Sequence, residues 1–298
     1  MFSSILVPLD GSALSERALA YVTLLADPDA SVTLLAVIEP ARDLTGYELA
    51  GHVEETQRIR AHLSQVLGTA SEQFHGSGYA VHPTVRTGDA GAEILACATE
   101  MAPDLIVLTT HGRTGFLRWV EGSVAQTVLR QAHLPVLIVQ PDMDGVPTPL
   151  AIDKIVVPLD GSELAARALP VAHALARRHH VPLEVVRVLD NWSEAAGFFP
   201  SARVTPSAAE ENTVGSQASG TATTLIDVPV TERELRGEPI TALAEYLALE
   251  PNALVVMTAQ GRSEPARYPT DSVAEGLVTH THTPLLIMRA GAPHTERS

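Results

Sequence analysis

The chain has 298 residues, of which 45% are hydrophobic, 18% charged and only 4% aromatic. That is enough aliphatic side chain for two ordinary cores, and it excludes wholesale disorder. Acidic residues outnumber basic ones 35 to 20, for a formal net charge of −15; both halves are acidic, which excludes gripping DNA, RNA or an anionic membrane by bulk charge. One lysine, Lys154, and one cysteine, Cys97, exclude a Walker-type phosphate loop, an intrachain disulfide and a cysteine-based zinc cage. Lys154 stands just before an apolar run with no evident partner.

In chain order, short apolar runs at 5–9, 32–38, 105–109 and 135–139 predict strands, with a weaker candidate at 81–85 that Pro83 interrupts. Near-continuous hydrophobicity in such runs suits parallel strands buried on both faces. Helical spacing falls between them, at 12–25, 54–74, 90–101 and 123–132, with Ser12 and Ser123 as N-cap residues. Strand and helix alternate, which predicts an α/β fold with an open, doubly wound parallel sheet.

The chain then repeats itself. ILVPLDGSALSERAL at 5–19 returns as IVVPLDGSELAARAL at 155–169, identical at 11 of 15 positions. A second block, 105–140, lies over 254–289 at an offset of 149. Two blocks in one order at nearly one offset mean a duplicated domain. The expected boundaries are a first domain at 1–141, a linker at 142–152 rich in Pro and Gly, a second domain at 153–290 and a tail at 291–298. Strands of the second copy are expected at 155–159, 183–189, 225–230, 254–257 and 284–288. Residues 200–224, rich in Ser, Thr, Ala and Gly, read as a poor helix or a mobile loop.

In such sheets ligands bind at the carboxyl ends of the strands, near the point where strand order reverses. Asp10 and Asp160 fall there, each followed by Gly-Ser and a helix. After the fourth strand, Thr109 to Gly112 leads through a loop to Gly122-Ser123-Val124 at a helix start. Free N–H groups and the positive end of the helix dipole suit an anion there. A glycine at 122 lets a phosphate approach the backbone; Ser123 adds a hydroxyl donor and Arg113 a charge. Asp10 could accept from a sugar hydroxyl or help hold a metal bound to the phosphates.

At these residues the chain resembles the universal stress protein family in tandem form. Its nucleotide-binding members carry G-x2-G-x9-G-[ST] after the fourth strand. Gly112, nine residues and Gly122-Ser123 match the latter part, while Thr109 holds the place of the first glycine. VPLDGS, Thr87-Gly88-Asp89 and the closing PVLIV also match. The resemblance implies two Rossmann-like (HUP-type) domains, each a five-stranded parallel sheet in the order 3-2-1-4-5 flanked by helices. It also implies that the two last strands pair antiparallel, so that the domains pack as a pseudo-dimer. Carried over, adenine and ribose contacts fall on Pro8, Asp10, Val37 and Leu108, beside Thr109. Phosphate contacts fall on Gly112, Gly122, Ser123 and Val124, to which the reading of the residues themselves adds the charge of Arg113 and Mg2+ reaching Asp10 through ATP. Ala125 stands where the family has a further hydroxyl donor. In the second copy Gly261 is kept but Asp271 replaces the phosphate-facing glycine, and Pro265 and Pro269 stiffen the loop, so that copy is expected not to bind ATP in the family's way.

Plainer readings stand beside these. Asp10 can be a turn former before Gly11, although its recurrence as Asp160 favours a ligand role; Gly122-Ser123 can simply start a helix. Cys97 reads as core packing, the scattered histidines as no metal site, His111 as a loop-orienting residue, and Trp119 and Trp192 as partly buried anchors. No G-x-S-x-G elbow or H-E-x-x-H occurs. The N-terminus has no basic region ahead of Pro8, unlike a secretory signal, and no apolar stretch is long enough to span a bilayer. The expectation is therefore a cytoplasmic, ATP-binding stress-response module. Its expected partners are an adenine nucleotide, an unidentified protein and a second tandem chain in a homodimer, with neither nucleic acid nor membrane among them. The competing readings are a weak ATPase or autophosphorylating enzyme, and a nucleotide-free dimerisation module.

Overall fold

The computed structural model describes residues 1–39, 49–110, 124–140, 151–189, 228–259 and 273–289. The chain divides into two compact units, Met1–Pro141 and Asp142–Ser298. Segment 200–224 lies outside the described residues. Among the described residues, no helix is long and apolar enough to cross a membrane.

The first unit runs β1 (Phe2–Pro8), α1 (Ala13–Leu25), β2 (Ala26–Ile38), α2 (Leu49–Glu72), β3 (Ala80–Thr87), α3 (Ala90–Met101), β4 (Leu105–Thr109), α4 (Val124–Gln131) and β5 (Val136–Val139). All its pairings are parallel, in the order β3-β2-β1-β4-β5. β1 lies between β2 and β4, so Ile5, Leu6 and Val7 are fully buried, each contributing on the order of 2 kcal/mol of apolar burial. β3 pairs with β2 alone within the unit's sheet and is largely exposed. Pro83, opposite Leu34, is tolerated there because a strand with one partner can spare the N–H that proline lacks. β2 begins six residues earlier than its apolar run; the added ADPDAS carries two carboxylates and a proline, and is ordered by Phe2 opposite Ala26 and the Met1 ammonium against Asp27.

The second unit repeats this as β6 (Lys154–Pro158), α5 (Glu163–Ala166), α6 (Leu169–His179), β7 (Leu183–Leu189), β8 (Val230–Arg236), α7 (Pro239–Leu247), β9 (Ala253–Thr258), α8 (Val273–His280) and β10 (Leu285–Met288). Its order is β8-β7-β6-β9-β10, again parallel throughout. One expectation is corrected: the third strand of this copy is β8 at Val230–Arg236, not 225–230. Its sequence, VTERELR, is mostly charged and exposed, so it offers no apolar run. The repeat offset would have found it, since Arg236-Gly237-Glu238 lies 149 residues after Thr87-Gly88-Asp89.

Capping follows the repeat. Ser12 accepts from Ser15 N at 3.1 Å and Ser162 from Ala165 N at 3.0 Å. Asp89 accepts from Ala92 N at 3.0 Å, and Glu238 does the same for Thr241 N at 2.8 Å. These side chains satisfy N–H groups that a helix start leaves without partners. The long α1 has no uninterrupted counterpart, however. Pro170 stands where α1 has Ala20, has no N–H for the Ala166 carbonyl and crowds it, so the helix divides into α5 and α6.

Candidate functional site

Strand order in the first unit reverses between β1 and β4, and there the ladder opens. β1 pairs with β4 only at Ile5–Leu105 and Leu6–Ile106, but with β2 as far as Pro8–Leu35. β4 pairs with β5 as far as Thr109–Val139. The carboxyl ends of β1 and β4 therefore part while each keeps its outer neighbour, which makes the crevice expected at a switch point. The second unit opens in the same way, after Val156–Val255.

Pro8 closes β1 and Asp10 follows it; Val37 lies near the end of β2, Leu108 and Thr109 end β4, and Val124 begins α4. All six come to this carboxyl end. Pro8, Asp10, Val37 and Thr109 are partly exposed, Val124 is exposed, and Leu108 keeps only 3% of its surface. A ligand at Leu108 would thus meet mainly its backbone. Gly112, Arg113, Gly122 and Ser123 lie outside the described residues, as do His111, Trp119, Trp192, Gly261, Pro265, Pro269 and Asp271.

The Asp10 turn is built for rigidity. Its Oδ1 accepts from Ser12 N at 2.9 Å and from Ser12 Oγ at 2.6 Å, and Ser15 Oγ accepts from Asp10 N at 3.3 Å. Gly11 takes φ +78°, a conformation L side chains rarely adopt. Asp160 makes the same two bonds to Ser162, at 2.9 and 2.7 Å, around Gly161 at φ +82°. The turn-forming role of this aspartate is thus seen in both copies. The same bonds hold the Asp10 carboxylate at a set place at the carboxyl end of β1.

Sequence reasoning missed a second fixture. Thr110 Oγ1 donates to Gln140 Oε1 at 2.9 Å, with both residues buried, and Thr110 N donates to Val139 O. This pair ties the first residue after β4 to the first after β5. Only contact across strands reveals it. Behind the crevice Gly88 N donates to Ile38 O at 3.0 Å, and Glu39 Oε1 accepts from Ala90 N at 3.3 Å, which ties the start of α3 to the end of β2.

Lys154 also needs correction, because it has partners. Its Nζ meets Glu184 Oε2 and Glu250 Oε1, each at 2.8 Å, and Tyr246 Oη donates to Glu184 Oε2 at 2.7 Å. Arg233 pairs with the other Glu184 oxygen. Burial alone would raise the Glu184 carboxyl, but the bonds from Lys154, Tyr246 and Arg233 hold it below the usual carboxylate range. Burial and the bond to Glu184 push the Tyr246 phenol up to about 12. Lys154 begins β6, at the end of the sheet opposite the crevice. The network there is an ion cluster that joins β6, β7, β8 and α7. Cys97 is buried on α3, as core packing requires.

Two matches of one family model, the universal stress protein family, cover residues 1–140 and 151–289. The chain belongs to the universal stress protein family, with two of its domains in tandem. A universal stress protein of Methanocaldococcus jannaschii is 30% identical over 142 residues, 47% of this chain and 83% of that one. One from Mycobacterium tuberculosis is 27% identical over 213 residues, covering 70% of this chain and 69% of that one. Among solved structures, a universal stress protein from Archaeoglobus fulgidus covers 96% of both chains with a TM-score of 0.63 at 19% identity, a likeness of fold.

Proposed function

We propose that this tandem universal stress protein binds ATP in its first unit and acts in the cytoplasm as a nucleotide-responsive module of stress adaptation. The observation that carries this reading is the opening of the β1–β4 ladder after Leu6–Ile106, with Asp10 held by Ser12 on one side of the gap and Thr110 tied to Gln140 on the other. Adenine and ribose would lie along Pro8, Asp10, Val37, Leu108 and Thr109. The phosphates would lie along Gly112, Arg113, Gly122, Ser123 and Val124, where backbone N–H groups at a helix start favour an anion.

Mg2+ would be carried in by the nucleotide, since this ion commonly takes phosphate oxygens, waters and one or two carboxylates. Asp10 would be that carboxylate, and bound Mg2+ would neutralise phosphate charge. The mechanism is a population shift: nucleotide in contact with residues 112–122 favours whichever state of the chain binds both nucleotide and partner.

Calorimetric titration of the full chain with Mg·ATP is expected to give one nucleotide per chain. Gly122→Asp should abolish it, because two like charges about 4 Å apart at an effective dielectric near 20 repel by roughly 4 kcal/mol. No heat at millimolar nucleotide, or unchanged binding by the variant, would overturn the reading.

A further inference from the structure

We propose that the second unit takes a small tetrahedral oxyanion, of the inorganic phosphate or sulfate class, at the guanidinium of Arg289, just past the carboxyl end of β10. The position corresponds to Gln140 of the first unit, at the repeat offset of 149. The backbone frame is the same in both copies: Thr110 N donates to Val139 O at 3.3 Å, and Ala259 N to Met288 O at 3.0 Å. The side chains differ. Gln140 is satisfied by the Thr110 hydroxyl, whereas Ala259 has removed that hydroxyl and Arg289 has replaced the amide with a cation.

Arg289 Nε and Nη2 are buried and have no hydrogen-bond partner. Buried donors of this kind are strongly disfavoured unless something accepts from them, and a charged one more so. Burial works against the guanidinium's charge, and Glu275 on α8 offsets only part of that through space. Arginine nevertheless stays protonated, so the position is a permanent cation. Its Nε–Nη2 edge is a planar fork that matches two oxygens of a phosphate or sulfate. The side chain as a whole is only partly covered, so rotation of the guanidinium toward its exposed side would present the buried fork to an anion. The place also agrees with the rule that ligands of open parallel sheets bind beyond the carboxyl ends of the strands.

This site is separate from the proposed ATP site, and the test keeps the two apart. The full chain is titrated with inorganic phosphate by calorimetry, alongside a Gly122→Asp chain that removes the first unit's phosphate cradle. Both are expected to bind phosphate at the second unit. The double variant Ala259→Thr, Arg289→Gln, made in the Gly122→Asp chain, rebuilds the first unit's Thr–Gln pair and leaves no buried donor unsatisfied there. It should fold and lose phosphate affinity at least about tenfold. Arg289→Lys, which keeps the charge and loses the fork, should weaken binding by about a few fold. The proposal is overturned if the double variant binds phosphate as well as the Gly122→Asp chain does, or if that chain gives no phosphate heat at all.

Discussion

The two units share a backbone plan but place their charges differently between the third strand and the third helix. In the first unit Arg86 on β3 pairs with Glu100 and, at 3.7 Å, with Glu93, both on α3. These groups sit toward the surface, with buried Cys97 close beneath them, and Thr33 is the buried polar residue of β2. In the second unit the positions of Arg86, Glu93 and Glu100 are Leu235, Ala242 and Leu249, and Leu249 is 80% exposed. The charge has moved inward. Glu184 stands for Thr33, Tyr246 for Cys97, Lys154 for Ser4, Arg233 for Thr84 and Glu250 for Met101, and together they form the cluster around the buried Glu184. A duplicated fold can thus exchange a surface ion pair for an interior one at the same site, provided every member changes together; a lone buried carboxylate there would be severely destabilising.

The helix that flanks the crevice shows a second exchange. Where α3 packs on α4, Gly91 lies against Thr127, and a Cβ on Gly91 would come within 2.9 Å of Thr127 Cγ2. Where α7 packs on α8, the equivalent positions hold Ile240 and Gly276, and a Cβ on Gly276 would collide with Ile240. The small residue stands on α3 in the first unit and on α8 in the second, so in each unit one helix makes room for the other's side chain.

The largest effect that can break this comparison concerns the crevice. Gly122→Asp gives the first unit the carboxylate that Asp271 gives the second, and its expected loss of ATP binding, roughly 4 kcal/mol, would make the two units alike by titration. Next comes Glu184→Gln, which leaves Lys154 and Arg233 facing a neutral amide and should destabilise the second unit by about 3 kcal/mol. Hydrogen exchange resolved by unit should show the first unit unmoved.

The same residue sets a pH dependence. The folded Glu184 carboxyl is held below its ordinary range, so its stabilisation is full above the unfolded value of about 4.3 and is lost as pH falls through the folded one. Lys154 is shifted upward; its contribution is full below about 10.4 and is lost only at higher pH, so it does not oppose the acid effect. Acid titration followed by hydrogen exchange should therefore open the second unit through a step that Glu184→Gln removes.

A smaller effect is expected at the helix contact. Gly276→Ala should cost about 1–3 kcal/mol by overpacking, and Ile240→Ala added to it should recover part of that loss in a double-mutant cycle. Additive losses would show that the two residues do not share the space. The smallest is Ser12→Ala, which removes the α1 cap and should lower stability by about 1 kcal/mol, read as faster exchange confined to the first turn of α1.

Much of this was legible in the chain. Runs such as 105–109 and 135–139 are apolar on both faces because their strands are covered on both faces, so β4 and β5 could be read directly, as could the Asp-Gly-Ser turns and the Ser12 cap. Duplication and motif order were enough to indicate the family. What local pattern could not reveal lies wherever one side of an element faces water or a partner is distant in sequence. β8 hides in VTERELR because it is exposed; Lys154 looked isolated because Glu184 and Glu250 come to it from a neighbouring strand and the end of α7. The Thr110–Gln140 tie, the Gly91/Gly276 exchange and the buried Arg289 donors without hydrogen-bond partners likewise exist only once the strands and helices are packed. Sequence by itself determined which segments must be buried and how the chain turns, since those follow from neighbours a few residues apart. Only the tertiary structure decided which charges meet, which donors are left over and where small residues make room, because those depend on atoms brought together across tens of residues.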